Sequence, residues 1–218
     1  MSSNEAAYLR QVRDALEEYG VLLESDATLP SVAGLIAAGP IRGSWWGHPM
    51  SHTIFGVSVK LSNDPDVIAS KLVSGKVTWV HRKLWSALIA IGSARERWQK
   101  AGLTEEARSL LSMVSKQGEL TTDQAFCRAH KIKSAGAALR ELEKNLLIYA
   151  EEIHTDSGAH AKRVETWGRW SQRVGFVPDA MPPAKAKRSL EDIVATLNAR
   201  FEANARLPWP TEETIEGF

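Results

Sequence analysis

The chain has 218 residues, with 27 Lys and Arg against 26 Asp and Glu, and hydrophobic residues make up 44% of it. That length buries a sizeable core, and that composition excludes a mini-scaffold and disorder along most of the chain. One cysteine excludes an internal disulfide and a zinc ribbon, and no apolar run reaches the ~20 residues of a membrane span, so the expectation is a cytoplasmic protein with no membrane role.

Residues 4–19 read as an amphipathic helix, with Ala7, Leu9, Val12, Leu16 and Tyr19 on one stripe and Gly20 as the stop. The apolar run Val21-Leu22-Leu23 follows, and Pro30-Ser31 opens a short helix within 29–38 that Gly39-Pro40 closes. Next comes Ile41-Arg42-Gly43-Ser44-Trp45-Trp46-Gly47-His48-Pro49, two adjacent indoles between glycines, which predicts a turn-rich loop. Asn63-Asp64-Pro65 predicts a helix over 66–73, and the alternation Lys76-Val77-Thr78-Trp79-Val80-His81 a strand. Residues 84–100 read as a helix with Leu84, Leu88, Ile91 and Trp98 on one side and Gly102 as terminator.

In the second half, Thr104 with Glu105 and Glu106 marks a helix start, and Ala107, Leu110, Leu111 and Val114 its buried stripe. Thr121 or Thr122 caps a short helix reaching Ala129, and residues 131–144 form a third. Residues 146–155 turn extended, Asp156-Ser157-Gly158 makes a tight turn, and 159–167 return as a strand. On these features the segment 103–170 resembles the winged-helix superfamily. The resemblance implies a wing hairpin and a third helix that meets DNA, in a superfamily whose members also serve as protein-docking modules. The residues lead to the same helix independently. Ile132, Ala135, Leu139 and Leu142 fall on one stripe, while Lys133, Ala137, Arg140 and Lys144 make the opposite face small and basic, as groove entry requires. Lys162 and Arg163 follow on the wing. The tail opens with a linker or extended basic arm over 180–188, rich in Pro, Lys and Ala, before a helical pattern through Ile193, Val194, Leu197 and Phe201.

Charge is concentrated unevenly. Residues 1–30 carry two cations against six acids and 189–218 the same, whereas 71–100 carry seven against one and 162–188 seven against two. Phosphate binding depends on such local surplus, so Arg82 and Lys83 in the first basic block join as auxiliary contacts. Eight tryptophans are unusual, and Trp45, Trp46 and His48 in the glycine-rich loop are candidates for a base-stacking pocket, whereas Trp79 and Trp85 read as core. His48 and His52 have helical metal spacing, but Pro49 breaks the helix and no acid lies between Gly43 and Leu61, so no metal is expected. Neither a phosphate loop nor a G-x-S-x-G elbow occurs, and no cofactor is implied.

The expected chain is therefore α+β and mostly helical: a helix-rich region with the Trp loop (1–102), a winged helix (103–178), and a linker with a C-terminal helix and acidic tail (179–218). DNA binding through Lys133, Arg140, Lys144, Lys162 and Arg163 leads. A nucleic-acid-processing enzyme with its base pocket at Trp45, Trp46 and His48, and a protein-interaction module with a partner or a second copy, stand as alternatives.

Overall fold

The computed structural model describes residues 3–130, 132, 134–154 and 160–210. The chain is a mixed α+β fold with two separate three-stranded antiparallel sheets. It divides into two compact units, Met1–Ala87 with Lys187–Pro208, and Leu88–Ala186 with the residues from Trp209 on. No helix among the described residues is long and apolar enough to cross a membrane.

In the first unit α1 (Ser3–Tyr19) ends where expected, at Gly20. Gly20 has φ +80, and a Cβ there would lie 2.9 Å from Leu84, so both backbone and neighbour require glycine. β1 (Val21–Leu23) is buried throughout, and α2 (Val32–Ile36) starts at Ser31, whose Oγ accepts the Gly34 N–H at 3.1 Å. A 3₁₀ turn over Trp45–Gly47 then leads into α3 (Ser51–Ser62), a helix the sequence pattern did not announce. Ile54, Val57 and Leu61 have helical spacing, but Ser, Thr, Gly and Val between them dilute the propensity. They meet Val12 and Leu16 of α1 in one apolar core with Leu22, Val32, Ala33, Ile36 and Trp79.

The helix expected over 66–73 is instead β2 (Val67–Ser70). Asp64 Oδ1 accepts the Asp66 N–H at 3.0 Å, turning the chain rather than capping a helix, and Val67 and Ile68 suit a strand. β3 (Thr78–His81) occupies the centre of the sheet as the alternation predicts, with order β1-β3-β2 and Leu22 opposite Trp79. The long helix expected over 84–100 is broken into α4 (Trp85–Ala94) and α5 (Arg97–Lys100). Arg95 adopts φ 51, and Glu96 with Gln99 forms a capping box that starts a new helix.

In the second unit α6 (Glu105–Gln117) begins at its Thr104 cap. β4 (Glu119–Thr122) takes up both threonines proposed as caps, and Asp123 caps α7 (Gln124–Ala129), its Oδ1 accepting the Phe126 N–H at 2.7 Å. α8 (Ala135–Lys144) is followed by the hairpin β5 (Tyr149–His154) and β6 (His160–Glu165), in register from Tyr149 opposite Glu165 to His154 opposite His160. The expected turn Asp156-Ser157-Gly158 lies outside the described residues. β6 is shorter than expected because Thr166 caps α9 (Trp167–Arg173), and buried Trp167 donates its indole N–H to the Leu146 carbonyl at 2.7 Å. That contact explains Gly92, where a Cβ would stand 2.2 Å from the same indole nitrogen. Sheet order is β4-β6-β5, and Leu120 and Val164 share one core with Leu110, Val114, Leu139 and Leu142.

The expected linker over 180–188 is not one. Pro183 opens α10 (Pro183–Phe201), since proline suits a first helical position and the Ala-Lys alternation after it is strongly helix-forming. Val194 and Leu197 of α10 lie against Val21, Leu23, Leu29 and Val73.

Candidate nucleic-acid interface

α8 sorts its residues by face. Ala138, Leu139 and Leu142 are buried, with Ile132 just before the helix, and Ala135 is half-buried. Gly136, Ala137, Arg140 and Lys144 are exposed on the opposite side. A Cβ on Gly136 would stand 3.7 Å from Arg140 Nη1, so the guanidinium reaches back toward the N-terminal turn, as helical side chains do. Lys133 lies outside the described residues.

The acids of α8, which in sequence dilute its basic character, are drawn into the fold. Glu141 accepts both the Thr104 N–H at 2.9 Å and the Thr104 hydroxyl at 2.8 Å, clasping the start of α6. Glu143 lies 3.8 Å from Lys162 Nζ, and its buried Oε2 accepts no hydrogen bond among the described residues. Arg140 and Lys144 form no ion pair among the described residues, so the outer strip keeps two uncompensated cations beside two residues without bulk.

The hairpin separates its two cations. Successive strand residues point to opposite faces, and Lys162, in line with Thr122 and Glu152, shares the face of Leu120 and Val164. Arg163 lies on the other face, where its Nη1 donates to Glu151 at 3.2 Å. There Glu165, fully buried, accepts two hydrogen bonds from Arg173 Nε at 2.8 and 3.0 Å and one from Nη2 at 2.7 Å. Arg173 also lies 3.1 Å from Glu151, and Arg169 pairs with Glu119 at 2.6 Å. The Glu165 contact raises the Arg173 guanidinium further, and the Arg169 bond holds Glu119 below the usual carboxylate range. Tyr149 donates to Glu151 at 3.2 Å, and burial, then the adjacent carboxylate, push its phenol well above the usual value. Near the hairpin end His160 Nδ1 lies 2.5 Å from Glu152.

Arg82 and Lys83 lie in the other unit and have local partners. Arg82 stands 5.3 Å over the Trp85 ring and 3.5 Å from Asp66, and Lys83 Nζ donates to the Glu17 carbonyl at the end of α1, where cations are favoured. Within the second unit the structure brings Arg140 and Lys144 together on one face of α8 and places Lys162 and Arg163 on opposite faces of the hairpin, whereas Arg82 and Lys83 belong to the first unit.

The Trp loop folds as a ledge. Trp45 and Trp46 stack at 4.1 Å and 22°, Trp45 packing on the core of the first unit and Trp46 remaining 63% exposed. His48 Nδ1 accepts the Met50 N–H at 3.2 Å, just ahead of α3. Arg42, exposed at the start of the loop, is its one Lys or Arg, and no charged residue lies between Gly43 and Val59.

Two clusters escaped the sequence. Glu24 accepts from the Ser58 hydroxyl at 2.8 Å and the Trp79 indole at 2.6 Å, and burial raises its carboxyl against both bonds. A cleft of about 380 Å³ is lined by Arg13, Glu17, Asp64, Asp66, Val67 and His81, with Arg13 paired to Asp64 at 2.5 Å. Their positions are too scattered along the chain for spacing to reveal either cluster. Among the described residues no three His, Cys, Asp or Glu side chains converge as a metal would need. No protein-family model, curated protein or solved structure matches this chain.

Proposed function

We propose that the second unit is a winged helix that binds duplex DNA, with α8 in the major groove and the β5–β6 hairpin beside it. Supporting the fold is the order α6-β4-α7-α8-β5-β6 with strands arranged β4-β6-β5, which leaves α8 with one free face. The observation that carries the function is the sorting of charge on α8: Glu141 clasps Thr104, Glu143 is turned toward Lys162, and Arg140 and Lys144 face solvent beside Gly136 and Ala137. A small, cationic helix face admits close approach to base edges while Lys and Arg meet phosphates. Lys133, two residues before α8, extends the same basic sequence.

Fluorescence anisotropy of labelled duplex and single-stranded DNA tests this at two salt concentrations. Wild type binds duplex with affinity falling as salt rises, by a log–log slope of about −0.9 per neutralised phosphate. The Lys133→Ala, Arg140→Ala, Lys144→Ala triple variant loses that binding while folding normally. Absent or salt-insensitive binding contradicts the reading.

A further inference from the structure

The side chains of α8 that can form a hydrogen bond are Arg140, Glu141, Glu143 and Lys144; the rest are Gly, Ala and Leu. Base edges are told apart by the groups that meet them: Arg or Lys suits guanine, Asn or Gln adenine, and Asp or Glu the amino group of cytosine. The fold removes both acids from that choice, since Glu141 is bound to Thr104 and Glu143 is turned toward Lys162. Asn145, the amide that follows the helix, donates its side-chain N–H to the Glu141 carbonyl at 3.0 Å. On the other flank Lys131 and Lys133 add cations, and Ser134 adds a hydroxyl, which does not discriminate between bases. What the helix offers to a base edge is therefore cationic, and guanine is the base that cations read.

We propose that Arg140 is the specificity-determining residue of this interface, and that the duplex it selects carries a guanine at one fixed position, read through O6 and N7; the inference rests on the DNA-binding reading of α8. Arg140 and Lys144 share a charge but not a place. Arg140 Nη1 lies 3.7 Å from where a Cβ on Gly136 would stand, so the guanidinium is laid over the N-terminal turn, beside exposed Gly136 and Ala137, where the helix has least bulk. That is the end of a recognition helix that meets base edges. No ion pair among the described residues occupies the guanidinium, and its planar fork suits two parallel hydrogen bonds to one guanine. Lys144 stands in the last turn, and its ammonium meets a phosphate as a point charge. A guanidinium lodged between the phosphate walls displaces counterions as a phosphate contact does, so both cations count in the salt slope and base preference separates their roles.

The test selects duplexes with a randomised centre of about ten base pairs, one helical turn, on the full chain and on Arg140→Ala, Arg140→Gln and Lys144→Ala, and sequences what is retained. All three substitutions fall at exposed positions, and an unchanged thermal melt shows that each variant is folded. Wild type enriches guanine at one position by at least about tenfold. Arg140→Ala relaxes that position and leaves the others, and Arg140→Gln, which puts an amide in the same place, moves the preference there from guanine to adenine. Lys144→Ala lowers affinity about equally for every sequence and keeps the guanine. A wild type that holds duplex with salt-dependent affinity but enriches no guanine overturns this inference and leaves DNA binding standing. So does a guanine preference that survives Arg140→Ala or Arg140→Gln, or that Lys144→Ala removes equally. A wild type that retains no duplex removes the DNA-binding reading and this inference with it.

Discussion

The two units differ in how they handle charge. The first sets single acids against its core, Asp64 and Asp26 each paired with a more exposed cation and Glu24 bonded to Trp79 and Ser58, and it exposes an aromatic ledge. The second encloses charge, with Glu165 fully buried under Arg173, and exposes the cations of α8. The difference teaches that a surplus of charge in sequence does not by itself locate an interface. Arg163 and Arg173 contribute to the same basic block that makes 162–188 look phosphate-binding, yet both hold one side of a sheet. Arg140 and Lys144 are the cations we propose for the DNA contact because Glu141 is bound to Thr104 and Glu143 is turned toward Lys162.

Substitutions sharpen this contrast. Trp79→Ala removes a buried indole from the core of the first unit together with the donor to Glu24; we expect a loss of about 4 kcal/mol in urea unfolding. Arg173→Ala leaves Glu165 buried without its cation and should lower stability by about 3 kcal/mol in the same measurement. If Arg173→Ala were neutral, the buried ionic face would not be what holds α9 to its sheet. The Arg140→Ala, Lys144→Ala double variant changes stability by less than about 1 kcal/mol, since both residues are exposed, while duplex affinity falls at least tenfold.

The smallest effect concerns Glu24. Its carboxyl is raised by burial, so the native state binds that proton more readily than the unfolded chain. The corresponding stability is present in full below the unfolded value and is lost as pH rises through the folded one. Glu24→Gln removes this dependence, so the stability of the variant relative to wild type should increase with pH from about 4.5 upward. A difference flat across that window would mean that Glu24 is solvated in the folded protein.

Much of the second unit was legible because its signals are local: the Thr104 cap, the buried stripe of α6 and the alternation of buried and exposed positions along α8. The first unit was less so. α3 is built from weak helix formers and is stabilised by what it packs on, and β2 begins after an Asp-Pro pair that equally suits a helix start. The candidate site was legible in part. Periodicity located Arg140 and Lys144 on the outer face, but nothing in the spacing showed that Glu141 reaches Thr104, or that Glu151 and Glu165 take up Arg163 and Arg173. Such pairings join positions up to 37 apart and exist only once the chain is folded.

The most direct measurement is the salt dependence of duplex binding for three proteins: wild type, the Arg140→Ala, Lys144→Ala variant, and Arg163→Ala. If the cations left free on α8 make the contact, the double variant flattens the log–log slope by about 2, and Arg163→Ala keeps the slope of wild type. An unchanged slope in the double variant, or an equal loss in Arg163→Ala, contradicts the account.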